Sequence, residues 1–128
     1  MKVDKKRNIM LIENFSRVKE VISFSGTVVV GVQSKIRDVK GKEILIGKGC
    51  QFNSASCEKI VVGAFSVFGR INASEVIILN GCIGKMVNAK KVKIGDGCKI
   101  GEINAELVEI EGNSKVERIN AEKIRCTK

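Results

Sequence analysis

Four copies of one phrase stand at equal intervals in the second half of the chain: Ile71-Asn72-Ala73, Val87-Asn88-Ala89, Ile103-Asn104-Ala105 and Ile119-Asn120-Ala121. Each begins sixteen residues after the last, with no insertion. A short fixed period marks a solenoid, because a unit of this length cannot bury its own apolar face and must stack on its neighbours.

Carried backwards, the count lines up further columns. One reads Val28, Ile44, Ile60, Val76, Val92, Val108, Ile124, and two residues on another reads Val30, Ile46, Val62, Ile78, Ile94, Ile110, Cys126. Alternation with period two inside each pair marks a short strand with one buried face. A second strand supplies Val39, Ala55, Ile71, Val87, Ile103, Ile119 and Gly41, Cys57, Ala73, Ala89, Ala105, Ala121. A third supplies Ser34, Cys50, Ser66, Cys82, Cys98, Ser114, followed by Ile36, Phe52, Phe68, Gly84, Ile100, Val116. Ser23 and Ser25 fall in the same columns one turn earlier, and no inward position carries a charge. The pattern predicts an all-β chain: a three-faced parallel β-helix over residues 21–128, about 16 residues per turn and roughly six and a half turns. Right-handed crossover is the default for parallel strands.

Glycines mark the corners. Gly31, Gly47, Gly63 and Gly95 form one column and Gly49, Gly81 and Gly97 another, where the chain is expected to turn through positive φ. Leu79 and Glu111 interrupt the first column, Phe65 and Asn113 the second, so those turns are expected to bend differently.

Residues 1–20 lie outside the count. Lys5, Lys6 and Arg7 precede an apolar run of Ile9, Met10, Leu11, Ile12 and Phe15. Three readings stay open for them: a disordered tail, a membrane-surface segment, or a cap over the first turn. No stretch of about twenty apolar residues exists, and Ile9–Ile12 is too short for a signal peptide's apolar region. The chain is therefore read as cytoplasmic, with its five cysteines reduced.

The formal charge of +9 sits in the first three quarters, since residues 99–128 hold six basic and six acidic groups. Such an excess attracts anionic lipid or nucleic acid, or serves solubility. No nucleic-acid motif or aromatic stacking platform accompanies it, so no nucleic-acid partner is expected.

Little in the sequence points to catalysis. There is no His, which removes Ser–His and Cys–His nucleophile pairs. All five cysteines fall in inward columns, without a C-x-x-C spacing or a His to complete a zinc site. Glu106, Glu109, Glu111, Glu117 and Glu122 alternate with Lys115, Arg118, Lys123 and Arg125, as on a solvated charge-laced sheet. The Ile-Gly-x-Gly phrases at 46–49 and 94–97 fit neither a dinucleotide fingerprint nor a P-loop. No cofactor, metal or small-molecule substrate is expected.

Two outward columns stand apart. Asn72, Asn88, Asn104 and Asn120 stack as an amide ladder, with side chains able to hydrogen-bond from turn to turn. Val29, Leu45, Val61 and Ile77 are apolar where Lys93, Glu109 and Arg125 continue the column. An exposed apolar strip marks a contact site, to be covered by the N-terminal segment or by a second subunit. The last turn is expected to present a raw edge with Ile119, Ala121, Ile124 and Cys126 as its cross-section, a template for another chain.

The phrases Gly69-Arg70-Ile71-Asn72-Ala73 and Gly101-Glu102-Ile103-Asn104-Ala105, each followed by a spaced apolar pair, resemble the bactofilins, polymer-forming bacterial cytoskeletal proteins. The resemblance covers roughly Ser23 to Lys128. It implies a non-enzymatic, right-handed β-helix that joins end to end into filaments without a nucleotide. It also implies an N-terminal segment at the inner face of the cytoplasmic membrane, and a role in cell shape beside cell-wall enzymes. Two alternatives stand beside it. Residues 94–101 resemble hexapeptide-repeat acyltransferases, which typically rely on a His base, and the basic N-terminal part suits a module binding anionic lipid or nucleic acid.

Overall fold

The computed structural model describes residues 1–127, which form sixteen strands and no helix. They wind into a parallel β-solenoid of about 7 turns with ~16 residues per turn. The first face stacks β2 (Ile9–Ile12), β5 (Thr27–Val30), β8 (Glu43–Ile46), β10 (Lys59–Val62), β12 (Glu75–Ile78) and β14 (Lys91–Ile94). The other two faces begin as separate short strands: β3 (Arg17–Val18) and β6 (Lys35–Ile36) on one, β4 (Ile22–Ser23) and β7 (Asp38–Lys40) on the other. From there on each pair fuses across a bend into β9 (Gln51–Ser56), β11 (Val67–Asn72) and β13 (Ile83–Asn88). Finally β15 (Lys99–Glu111) and β16 (Lys115–Thr127) run without a break through all three faces.

The register is the one the repeat dictates. Ile44, Ile60, Val76, Val92, Val108 and Ile124 are successive partners in the parallel ladder, each sixteen residues on. Their side chains, with those of the companion columns, fill a core rich in Ile and Val that is sealed from the surface through the middle turns. β-Branched residues suit such positions because they are stiff and stack well on a pleated surface. Among the described residues one aromatic pair stacks in the core, Phe52 and Phe68, with ring centroids 5.6 Å apart. Gly84 caps that pair: a Cβ there would run into the Phe68 ring.

The N-terminal segment corrects the expected boundary between residues 20 and 21. β2 is a full member of the first face, pairing Met10 with Val28 and Ile12 with Val30, eighteen residues apart. Val18 pairs with Ile36 at the same interval, and Ile22 with Val39 at seventeen. The first turn thus holds one extra residue at the bend after β3 and another at the following corner. Counting back by sixteen overshoots it. Ile22 is buried and Phe24 packs on the core where the count had placed Ser23 and Ser25, and both serines are exposed. The solenoid therefore starts at Ile9. Only β1 (Lys2–Asp4) stands outside the coil, folded back antiparallel on β2.

The corners also differ from expectation. Apart from Asn8 in the β1–β2 turn and Gly112, positive φ among the described residues belongs to one column, in which Phe15 (61°), Gln33 (52°) and Phe65 (59°) adopt the same left-handed turn as Gly49, Gly81 and Gly97. Phe65 bends no differently from glycine, and it lies under the Lys48 ammonium at 5.4 Å. In the last complete corner the left-handed residue is Gly112, one position earlier than the count. The other glycine column has a different cause: a Cβ on Gly63 would meet the Gly47 backbone of the turn before, so close stacking excludes a side chain.

Candidate functional site

Three surfaces bear on function: the edge of the last turn, the apolar column of the first face, and a basic groove on the second.

β16 pairs with β15 along eleven residues, and among the described residues nothing pairs with its other edge. Columns that are sealed one turn earlier are open here. Ile103 and Val108 are fully buried, whereas Ile119 and Ala121 are half-buried, Ile124 is 48% exposed and Cys126 is exposed. Beside them the asparagine ladder forms as the spacing predicts. Asn88 donates to Asn72 at 2.9 Å, Asn104 to Asn88 at 2.9 Å and Asn120 to Asn104 at 2.8 Å. Asn88 and Asn104 each give an N–H to the turn before and accept one from the turn after. Among the described residues the Asn120 oxygen has no amide above it. Unsatisfied strand edges and apolar cross-sections of this kind invite further pairing.

The apolar column contains Val29, Leu45, Val61 and Ile77 in register, all half-buried by one another on the outer side of the first face. The N-terminal segment does not lie across it. Instead Leu11 pairs with Val29 and adds a fifth apolar residue to the same column, 44% exposed. Of the remaining N-terminal residues, Ile12 is buried, Ile9 and Met10 are half-buried, and Phe15 projects from its corner. Lys5, Lys6 and Arg7 sit exposed in the turn between β1 and β2, where the Asp4 carboxylate accepts the Lys6 and Arg7 backbone N–H groups.

The sequence count did not foresee the groove, which has a volume of about 660 Å³. Arg17, Lys19, Lys35, Arg37 and Lys85 surround a floor that includes Phe52 and Phe68. Arg17 and Lys35 become neighbours only through the eighteen-residue first turn, which a sixteen-residue count hides. Arg37 lies 3.4 Å from Asp38. The Ser54 hydroxyl, donating to Asp38 at 2.6 Å, holds that carboxyl below its usual range, with Asn53 adding to the effect.

The cysteines have a role that their apolar character concealed. In the Ser34-to-Ser114 column, hydroxyl and thiol groups donate to backbone carbonyls at the corner of the preceding turn: Cys50 to Gly31 (3.1 Å), Ser66 to Gly47 (3.3 Å), Cys82 to Gly63 (3.2 Å) and Cys98 to Leu79 (3.1 Å). Ser114 does the same for Gly95. Burial raises the pKa of Cys50, and at Cys57 it pushes the pKa up to about 12, so both stay neutral thiols. At Cys82 a hydrogen bond with Cys98, and then burial, act in the same direction.

No group of three or more Cys, Asp or Glu among the described residues is placed to hold a metal ion. Glu102, Glu109 and Glu111 lie within 4.0 Å of Arg118, Arg125 and Lys93 respectively, as expected of a charge-laced sheet. No helix of the described residues is long and apolar enough to cross a membrane. Comparison with protein-family models, with curated proteins and with solved structures finds no match for the chain.

Proposed function

We propose that this protein is a non-enzymatic scaffold that assembles end to end through the edge of its last turn, without a nucleotide. The observation that carries the reading is the β16 edge, thirteen residues long, with a half-open apolar cross-section behind it. A second copy stacked there extends the sheets, covers Ile119, Ala121, Ile124 and Cys126, and offers a donor to the Asn120 oxygen. β1 already occupies part of the opposite end, so the two ends are not equivalent. The bactofilin resemblance supplies the wider setting: a cytoplasmic polymer at the inner membrane surface that shapes the cell by holding cell-wall enzymes. The exposed Lys5-Lys6-Arg7 turn supports the membrane contact, since clustered cations are attracted to anionic headgroups.

Electron microscopy of the purified protein tests the reading, with filaments or ribbons expected. Ile124→Asp buries a carboxylate in the stacked interface and is expected to leave single particles with unchanged β-sheet circular dichroism. Filaments that persist in this variant, or a wild type that stays monomeric at high concentration and all salt levels, would sink it.

The basic groove favours a second reading, in which anionic lipid headgroups are held by Lys35, Arg37 and their neighbours. Vesicles of phosphatidylserine and neutral lipid test it: Lys35→Gln/Arg37→Gln is expected to weaken sedimentation, and unaltered sedimentation would set it aside.

A further inference from the structure

The apolar column of the first face has a charged companion. Two residues before it on each strand, Thr27, Glu43, Lys59, Glu75 and Lys91 stand in register, so that charge alternates from turn to turn. Alternation steadies the sheet that carries it, since opposite charges in adjacent strands attract. It also restricts how this face can meet a copy of itself. Two sheets packed face to face by a two-fold axis along the strand direction keep each column opposite its own column, with the turns in reverse order.

Consider the axis placed midway between the Leu45 and Val61 turns. Leu45 then faces Val61, and Val29 faces Ile77, so the four apolar residues cover one another completely. In the companion column Glu43 faces Lys59 and Thr27 faces Glu75. β1 extends the ladder by one step, with Lys2 in the Leu11 column, and this placement sets Lys2 opposite Glu109. Leu11 meets Lys93, whose methylene stem can lie along it. No position opposes a like charge. Moving the axis by half a turn either way destroys this: centred on Leu45 it sets Glu43 against Glu43 and Lys2 against Lys93, and centred on Val61 it sets Lys59 against Lys59 and Glu43 against Glu75.

We infer that the first face is a lateral interface between two copies of this chain, running antiparallel about an axis between the Leu45 and Val61 turns. Six facing turns of about 4.8 Å and a strand width of about 13 Å give a flat contact of roughly 400 Å² per copy. That is about half the standard interface, so an isolated pair is weak and concentration-dependent. Solenoids joined end to end would repeat the contact and gain from multivalency. The lateral contact does not depend on that joining, and the two are separable by mutation.

The experiment uses the full chain carrying Ile124→Asp to block end stacking and Cys57→Ser to leave Cys126 as the one exposed thiol. Sedimentation velocity is expected to show a monomer–dimer equilibrium that shifts to dimer with concentration. Val61→Lys should abolish the dimer and leave circular dichroism and melting unchanged, because Lys93 already occupies the same column without disturbing the sheet. A spin label on Cys126 should report about 45 Å between copies, from nine steps of about 4.8 Å and a sheet gap of about 10 Å. A chain that stays monomeric up to its solubility limit would overturn the interface, as would a dimer indifferent to Val61→Lys. A label separation under about 20 Å would overturn the antiparallel arrangement, since parallel copies hold equivalent turns side by side.

Discussion

A column of mixed Ser and Cys inside an apolar core looks, from sequence, like a set of small fillers. The structure gives these residues a shared task. At each corner after the first face a carbonyl turns inward, and the hydroxyl or thiol of the next turn donates to it. Buried carbonyls need such partners, and a side chain small enough for the corner with one donor meets both demands. Ser and Cys are therefore interchangeable here, whereas Ala is not. Cys82→Ser is expected to change stability by less than about 1 kcal/mol, and Cys82→Ala to cost about 1–3 kcal/mol, because it strands the Gly63 carbonyl. Guanidinium unfolding followed by circular dichroism would measure both. Equal stability of the two variants would return Cys82 to the role of filler. The same argument bears on redox chemistry: Cys50 and Cys82, fully buried with their thiols donating to carbonyls, are poor nucleophiles.

At the scale of the strand and its turn, a strict period makes the sequence unusually legible. From Thr27 to Cys126 the sixteen-residue count placed every inward column correctly, since each residue's environment repeats one turn later. It failed where the period failed. The two extra residues of the first turn shift the count off Met10 and Val18, and with them the Arg17–Lys35 neighbourhood that makes the groove. A turn whose length differs from the rest can be found only by its own apolar alternation, and Ile9–Ile12 is too uniformly apolar to show any. Phe65 was misjudged for another reason: a left-handed corner prefers glycine, yet an exposed side chain there can stack beneath Lys48 and offset part of the strain. The asparagine ladder was legible because outward position and period alone define it. Its rungs should differ in worth. Asn88 makes two amide hydrogen bonds and Asn120 one, so Asn88→Ala should cost about 2 kcal/mol and Asn120→Ala about half that. Denaturant midpoints in the assembly-blocked Ile124→Asp chain are the appropriate measure. Equal costs would mean the ladder contributes as exposed polar surface rather than as paired amides.

For the molecule as a whole, the question is how the N-terminal part, which belongs to the core, can be tested for the proposed contact with an anionic surface. Deleting residues 1–20 is the obvious test of a membrane tail, but the structure makes it a poor one. The deletion removes Ile12, whose burial alone is worth about 2 kcal/mol, together with Met10 and Val18. It also uncovers Val28, Val30 and Ile36, so the shortened chain loses stability and gains a second apolar edge. Any change in membrane binding would be mixed with that damage. Replacing Lys5, Lys6 and Arg7 together by Gln avoids it, because all three lie in the exposed turn outside the core. Each cation near an anionic surface contributes about 1 kcal/mol, so three replacements should weaken sedimentation with phosphatidylserine vesicles by about 100-fold at low salt. Added salt should narrow the difference, since exposed charges are screened within about 10 Å at 0.1 M. The melting temperature should not move. Undiminished vesicle binding in this variant, with loss of binding in Lys35→Gln/Arg37→Gln, would transfer the membrane contact from the N-terminal turn to the groove of the second face. The solenoid would then lie with its side against the bilayer, since the groove opens on a lateral face and the proposed polymerising edge on an end.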